Sequence, residues 1–106
     1  MNWLDCLAYF FGGAFFTNAV PHLVSGLMGR PFPSPFAKPP GRGLSSAIVN
    51  VLWGFLNLVF GYGLVFHVGN FSPRSTPDAL ALGLGILAMS LISANVFGRV
   101  NSGNNS

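Results

Sequence analysis

Three long apolar stretches dominate the pattern of hydrophobic and polar positions along the chain. They cover about residues 3–28, 45–68 and 78–98. Each holds about 20 or more residues, the length that a helix rising about 1.5 Å per residue needs to cross a bilayer. The apolar residues run continuously and do not alternate, which favours helices over membrane strands. The pattern predicts an all-α fold, a bundle of three transmembrane helices in a single membrane domain of residues 1–106.

Turn-forming and capping residues separate the predicted helices. Residues 29–44 contain five prolines, which forbid a helix and favour an extended, polyproline-like path. Ser45 or Ser46 is expected to cap the second helix. Thr76 is expected to cap the third helix, with Pro77 at its first position.

Two further features concern the ends and the regularity of the helices. Pro21 lies inside the first apolar stretch and has no N–H for the Thr17 carbonyl, so we expect a kink there. Residues 99–106 are mostly polar and are expected to form a frayed tail.

The composition strengthens the membrane interpretation. Hydrophobic residues make up 51% of the chain and charged residues only 7%, whereas a soluble domain carries about 25% charged residues. A small soluble protein exposes much of its surface to water, and seven charged side chains could hardly cover it. The composition therefore argues against a soluble globule, and membrane lipids are predicted to be the main surroundings of the chain.

The distribution of charge predicts an orientation. With three spans, the proline-rich loop and the C-terminus lie on one side of the membrane. That side holds four of the five cations, Arg30, Lys38, Arg42 and Arg99, whereas the other holds Arg74 and both acids. The positive-inside rule then places the loop and the C-terminus in the cytoplasm and the N-terminus outside. Five scattered cations do not form the basic patch that nucleic acid binding requires.

The residues at 18–22, 31–36 and 50–54 have the character of a family signature. In size and general character the chain is similar to small bacterial polytopic proteins such as the DoxX-like group. Members of that group typically have four spans, whereas this chain offers three. We expect a bacterial inner-membrane protein and carry no function over from the similarity.

Polar residues inside the apolar stretches mark a candidate site. Asn18 and His22 share one face of the first helix, and Asn50 and Trp53 lie on one face of the second. If these helices are antiparallel neighbours, His22 lies at the depth of Asn50, and Asn95 of the third helix reaches the same level. Because polar side chains are costly in lipid, such a group marks either helix packing or function.

Two interpretations of this group stay open. The side chains could form interhelical hydrogen bonds that hold the helices together, or they could line a small pocket for a ligand or for protons. No metal site and no cofactor is predicted, and haem ligation by His22 is a lesser alternative.

A second group of polar residues, Asp5, His67 and Asp78, lies at the outer side. It also admits two interpretations, a proton entry site or interfacial solvation and capping.

Two other sets of residues are expected to make contacts. Small or polar residues at helical spacing are expected to serve helix packing: Gly12, Gly13, Asn57, Gly61, Ala81 and Gly85. Aromatic and cationic residues of the loop are expected to meet a partner protein or lipid head groups: Phe32, Phe36, Lys38 and Arg42.

These observations favour a non-catalytic protein. The chain lacks nucleotide-binding and hydrolase signatures, and its single cysteine, Cys6, cannot form an internal disulfide. The leading hypothesis is a structural or accessory subunit that packs into a larger membrane complex or a homo-oligomer. The alternative is a protein that binds or transports a small solute, a lipid or protons through a pocket around His22, Asn50 and Asn95.

Overall fold

The computed structural model describes residues 2–102, and its architecture is all-helical. Helix α1 covers Trp3–Leu27, α2 covers Ala47–Tyr62 and continues as a π-helical segment over Gly63–Val68, and α3 covers Thr76–Ser102. Two short strands, β1 (Phe32–Pro33) and β2 (Leu44–Ser45), lie between α1 and α2. The all-α prediction is confirmed, and the helices begin and end within a few residues of the predicted bounds.

The C-terminal tail differs from its prediction. Residues 99–102 belong to α3, so the predicted frayed tail is wrong there. The apolar pattern ends near residue 98, but a helix can extend into polar sequence where its backbone hydrogen bonds continue. The rest of the predicted tail, residues 103–106, lies outside the described residues.

The start of α2 follows one of the two predicted caps. Ser46 is the N-cap, and its hydroxyl accepts a hydrogen bond from the backbone N–H of Val49 at 3.2 Å. Ser45 instead belongs to β2, where it pairs with Phe32. The second serine thus caps the helix while the first closes the hairpin below it.

The start of α3 lies one residue earlier than predicted. The Ser75 hydroxyl accepts from the Asp78 backbone N–H at 3.4 Å, and the Ser75 carbonyl accepts from Ala79 at 3.0 Å. Thr76 is therefore the first helical residue and not the cap. Either residue type can cap a helix, so the sequence alone did not separate the two positions.

Helix α1 lies in the centre of the fold. It packs along both α2 and α3, whereas α2 and α3 scarcely contact each other in the described part of the chain. Helix α1 continues as one helix through Pro21. The arrangement leaves a groove over α1 between the two flanking helices.

Two of the helices are long and apolar enough to cross a membrane. They are Ala47–Val68, with a mean hydropathy of 1.8, and Thr76–Asn101, with a mean hydropathy of 2.0. Helix α1 has 25 residues and so has the required length. It is less apolar, because it contains glycines and polar residues such as Asn18 and His22.

The proline-rich loop is folded and not extended, which corrects its prediction. Strands β1 and β2 pair in antiparallel register, with Phe32 opposite Ser45 and Pro33 opposite Leu44. The buried Ser34 bonds the Ser45 hydroxyl through its own hydroxyl at 2.6 Å, and its carbonyl accepts from the Gly41 N–H at 2.7 Å. These contacts close the segment into a hairpin that packs against the helices.

Candidate functional site

A buried hydrogen bond joins α1 to α2 beneath the hairpin. The His22 Nδ1 and Asn50 Oδ1 atoms are 2.7 Å apart. His22 is only 2% exposed, and Asn50 is completely buried. These two residues, predicted to lie at one level of neighbouring helices, are thus in direct contact.

Asn50 also holds the hairpin against α2. Its side-chain nitrogen donates to the carbonyl of Phe32 at 3.0 Å and to the carbonyls of Ser45 and Ser46 at 3.2 and 3.0 Å. One amide therefore joins α1, both strands of the hairpin and the first turn of α2. This makes Asn50 the most connected polar side chain of the cluster.

The contacts of Asn50 determine the tautomer of His22. Turning the amide round would place its oxygen against the carbonyl oxygens of Phe32, Ser45 and Ser46, so the nitrogen must face them. Asn50 Oδ1 is then an acceptor, and His22 Nδ1 must carry the proton that it receives. In the neutral imidazole the lone pair then lies on Nε2, and a lone pair of this kind can accept a hydrogen bond.

A second polar contact between α1 and α2 lies further along the helices. Asn18 Nδ2 donates to Asn57 Oδ1 at 3.1 Å, and Asn57 Nδ2 donates to the Trp53 carbonyl at 2.7 Å. Asn57 is completely buried. These bonds fix both amides and orient the α1–α2 contact.

Aromatic rings surround the imidazole. Phe32 of the hairpin and Phe97 of α3 meet His22 edge to face, with ring centroids 5.5 and 6.2 Å away. The rings of Phe32 and Phe97 lie 4.7 Å apart, and Trp53 approaches His22 from α2 at 6.4 Å. Phe97 has no polar group and no distinctive spacing, because it is one apolar residue among many in α3, so the pattern did not identify it.

Asn95 does not join the cluster. It is exposed on α3, whereas Phe97 contacts the imidazole. The rise per residue fixes the level of a residue along a helix but not its rotation about the helix axis. Two residues turn the direction by about 200° at 3.6 residues per turn, so Phe97 faces His22 while Asn95 points elsewhere.

Two small cavities lie beside the cluster in the groove over α1. The first has a volume of about 160 Å³ and is lined by residues of all three helices and the hairpin, including Asn18, His22, Ser34, Trp53 and Phe97. The second, of about 140 Å³, shares Asn18 and Trp53 and extends along α1 toward Met89 of α3. Pockets for drug-sized ligands measure about 300–1,000 Å³, so neither cavity accommodates haem beside His22.

The indole nitrogen of Trp53 has an unusual position. Among the described residues, Trp53 Nε1 is the only buried side-chain nitrogen or oxygen that has no hydrogen-bond partner. Trp53 lines both cavities. A buried donor without a partner is unfavourable by about 1–3 kcal/mol, so this N–H marks a place where a further acceptor would stabilise the fold.

The hairpin residues expected to meet a partner or head groups divide into two sets. Phe32 packs inward on His22, which differs from the expectation. Phe36 is 63% exposed and has its ring 5.3 Å from that of Trp53. Lys38 and Arg42 are exposed and remain available for outside contacts.

The glycines expected at helix contacts lie at close approaches of α1. A Cβ atom added to Gly13 would lie 2.5 Å from the Leu82 carbonyl of α3, and one added to Gly85 would overlap the Phe10 carbonyl of α1. Gly12 and Gly61 face each other across the α1–α2 contact. Ala81 is half-buried.

Two of the three titratable residues at the predicted outer side, Asp78 and His67, have different contacts. The Asp78 carboxylate accepts from the Ser72 backbone N–H at 3.0 Å and is buried. His67 is exposed, and its ring lies 5.2 Å from that of Tyr62. Within residues 2–102, no group of three or more histidine, cysteine or acidic side chains could hold a metal ion.

Comparisons with models of protein families, with curated proteins and with solved structures find no match to this chain.

Proposed function

We propose that the chain is a non-catalytic membrane protein of three transmembrane helices that packs into a larger complex or a homo-oligomer. In this proposal α1 is the third span, beside α2 and α3. The polar side chains of α1 and α2 serve to join the helices, and the outer faces of α2 and α3 meet lipid and partner subunits.

The observation that carries the proposal is the uneven burial of α3. Only 11% of its most apolar stretch is buried within the chain. Large apolar side chains cover its exposed surface, including Leu80, Leu84, Leu87, Leu91 and Ile92. Gly83 lies on this surface, and a Cβ atom added there would meet nothing within 4 Å. Small residues let membrane helices approach closely, so an open glycine on such a face suits a helix from another subunit.

The internal hydrogen bonds support the structural role. Asn50 bonds His22 and the hairpin, and Asn57 bonds Asn18 and the Trp53 carbonyl. Bonds of this kind agree with the first interpretation of the polar cluster, in which its side chains hold the helices together. They leave the outer faces of the helices almost entirely apolar, as expected for surfaces that meet lipid and other helices.

Purification in mild detergent tests the proposal. We expect the tagged chain to co-purify with a fixed partner or with further copies of itself, as identified by mass spectrometry. Gly83→Leu is expected to reduce the recovered partner several-fold by filling the open position, whereas the volume-conserving Leu91→Ile is expected to leave it unchanged. A homogeneous monomer without partners would contradict the proposal.

The proposed orientation places the hairpin in the cytoplasm of a bacterial cell and the loop between α2 and α3 outside. In a Cys6→Ala background, a membrane-impermeant maleimide is expected to label Ser72→Cys in intact spheroplasts. Pro40→Cys is expected to react only after permeabilisation. Both positions are exposed and uncharged, so the substitutions leave the charge distribution intact. The opposite labelling pattern would reverse the orientation.

A further inference from the structure

We propose that the groove over α1, between α2 and α3, binds a neutral single-chain alcohol. Its hydroxyl group would occupy the cavity of about 160 Å³ beneath the hairpin. Its aliphatic chain would follow the cavity of about 140 Å³ along α1. The two cavities are neighbours, since Asn18 and Trp53 line both, and in this proposal a single ligand extends across both.

The polar groups around the first cavity match a hydroxyl group. The Trp53 N–H is buried and has no hydrogen-bond partner, so it would donate to an acceptor on the ligand. His22 donates through Nδ1 to Asn50, so its Nε2 has a lone pair that would accept from a donor on the ligand. A hydroxyl group both accepts and donates, and one such group can therefore serve both residues.

The absence of charge around these cavities favours a neutral ligand. The linings, within the part of the chain that the structure describes, contain no acidic or basic side chain other than the imidazole of His22. Lys38 and Arg42 of the hairpin do not line them and are exposed. A carboxylate or phosphate buried here would lose its hydration without gaining a countercharge, which is strongly unfavourable.

The second cavity suits an aliphatic chain. Apolar side chains make up most of its lining, namely Phe11, Ala14, Phe15 and Met89. A cavity of about 150 Å³ with an apolar lining admits benzene, so each of the two spaces holds a group of similar size. A helix from another subunit has a diameter of about 10 Å or more and is too wide to enter.

A pair of matched ligands tests this proposal on the unmodified protein. The purified full chain in detergent is titrated with 1-octanol and with octyl methyl ether, and native mass spectrometry counts the bound molecules. We expect saturable binding of one octanol. The ether can accept from Trp53 but cannot donate to His22, so we expect it to bind about tenfold more weakly. Equal binding of both compounds, or a bound amount that rises without saturation, would overturn the proposal.

The two tryptophans provide a matched pair of variants. Trp53→Phe retains a large ring but removes the N–H, and we expect about tenfold weaker octanol binding. Trp3 is 68% exposed at the start of α1, and Trp3→Phe is expected to bind octanol as the unmodified chain does. Circular dichroism verifies that both variants keep their helices. Equal octanol affinity in the two variants would exclude Trp53 as a ligand-binding residue.

Discussion

Replacing Asn50 with leucine is expected to lower the free energy of unfolding by about 3 kcal/mol. The substitution removes the hydrogen bond to His22 and those to the carbonyls of the hairpin and of Ser46. Each buried group left without a partner is unfavourable by about 1–3 kcal/mol, whereas single hydrogen bonds between membrane helices contribute about 0.6–2 kcal/mol. Leucine has the same branching and number of side-chain heavy atoms as asparagine, with bulkier methyl groups, so the substitution removes the hydrogen bonds without leaving a cavity.

The measurement is unfolding by sodium dodecyl sulfate in mixed micelles, followed by circular dichroism. Asn95→Leu is the matched control, because Asn95 is exposed on α3. Its effect is expected to stay within about 0.5 kcal/mol, as is usual for surface substitutions. If the Asn50 and Asn95 variants lost the same stability, the role of Asn50 in joining the hairpin to the helices would be wrong.

The contrast between Asn50 and Asn95 shows how far the sequence predicts the site. Helix rise is nearly constant, so counting residues from the connecting loop placed His22 and Asn50 at one level, and they are in contact. Which face of α3 turns toward α1 depends on side-chain packing across the whole contact. Counting residues cannot provide that rotation. Asn95 was therefore predicted to join the cluster but is exposed, and Phe97 contacts His22 without having been predicted.

The hairpin shows a second limit of sequence patterns. Five prolines indicate that no helix forms over residues 29–44, and the structure has none there. Whether the segment is extended or closed depends on single hydrogen bonds between distant residues, such as Ser34 with Ser45 and Asn50 with Phe32. Serine and asparagine form such bonds in many settings, so their presence alone does not identify the partners.

A third limit concerns the glycines of α3. Gly83 and Gly85 stand in the same Gly-Leu-Gly sequence, and small-residue spacing favoured Gly85 because it follows Ala81 by four residues. The structure places Gly85 against α1 and leaves open space around Gly83. The two positions differ by about 200° around the helix, and their different surroundings give a direct test of the contact between α1 and α3.

Gly85→Ala is expected to destabilise the chain by about 3 kcal/mol, the upper part of the range for inserting a methyl group into a packed contact. The new Cβ atom would overlap the Phe10 carbonyl oxygen and lie 2.7 Å from the carbonyl carbon. Because these are backbone atoms of α1, no side-chain rotation relieves the overlap, and α3 must move away from α1. That movement also weakens the neighbouring approach of Gly13 to the Leu82 carbonyl.

Gly83→Ala provides the control within the same helix. Its Cβ atom meets nothing within 4 Å, and alanine favours a helix over glycine by about 1 kcal/mol in peptides. The same detergent titration on the isolated chain should therefore show a small gain in stability for Gly83→Ala and a loss for Gly85→Ala. Effects of the same sign and size would mean that α3 does not present Gly85 to α1, since helix propensity alone treats both positions alike.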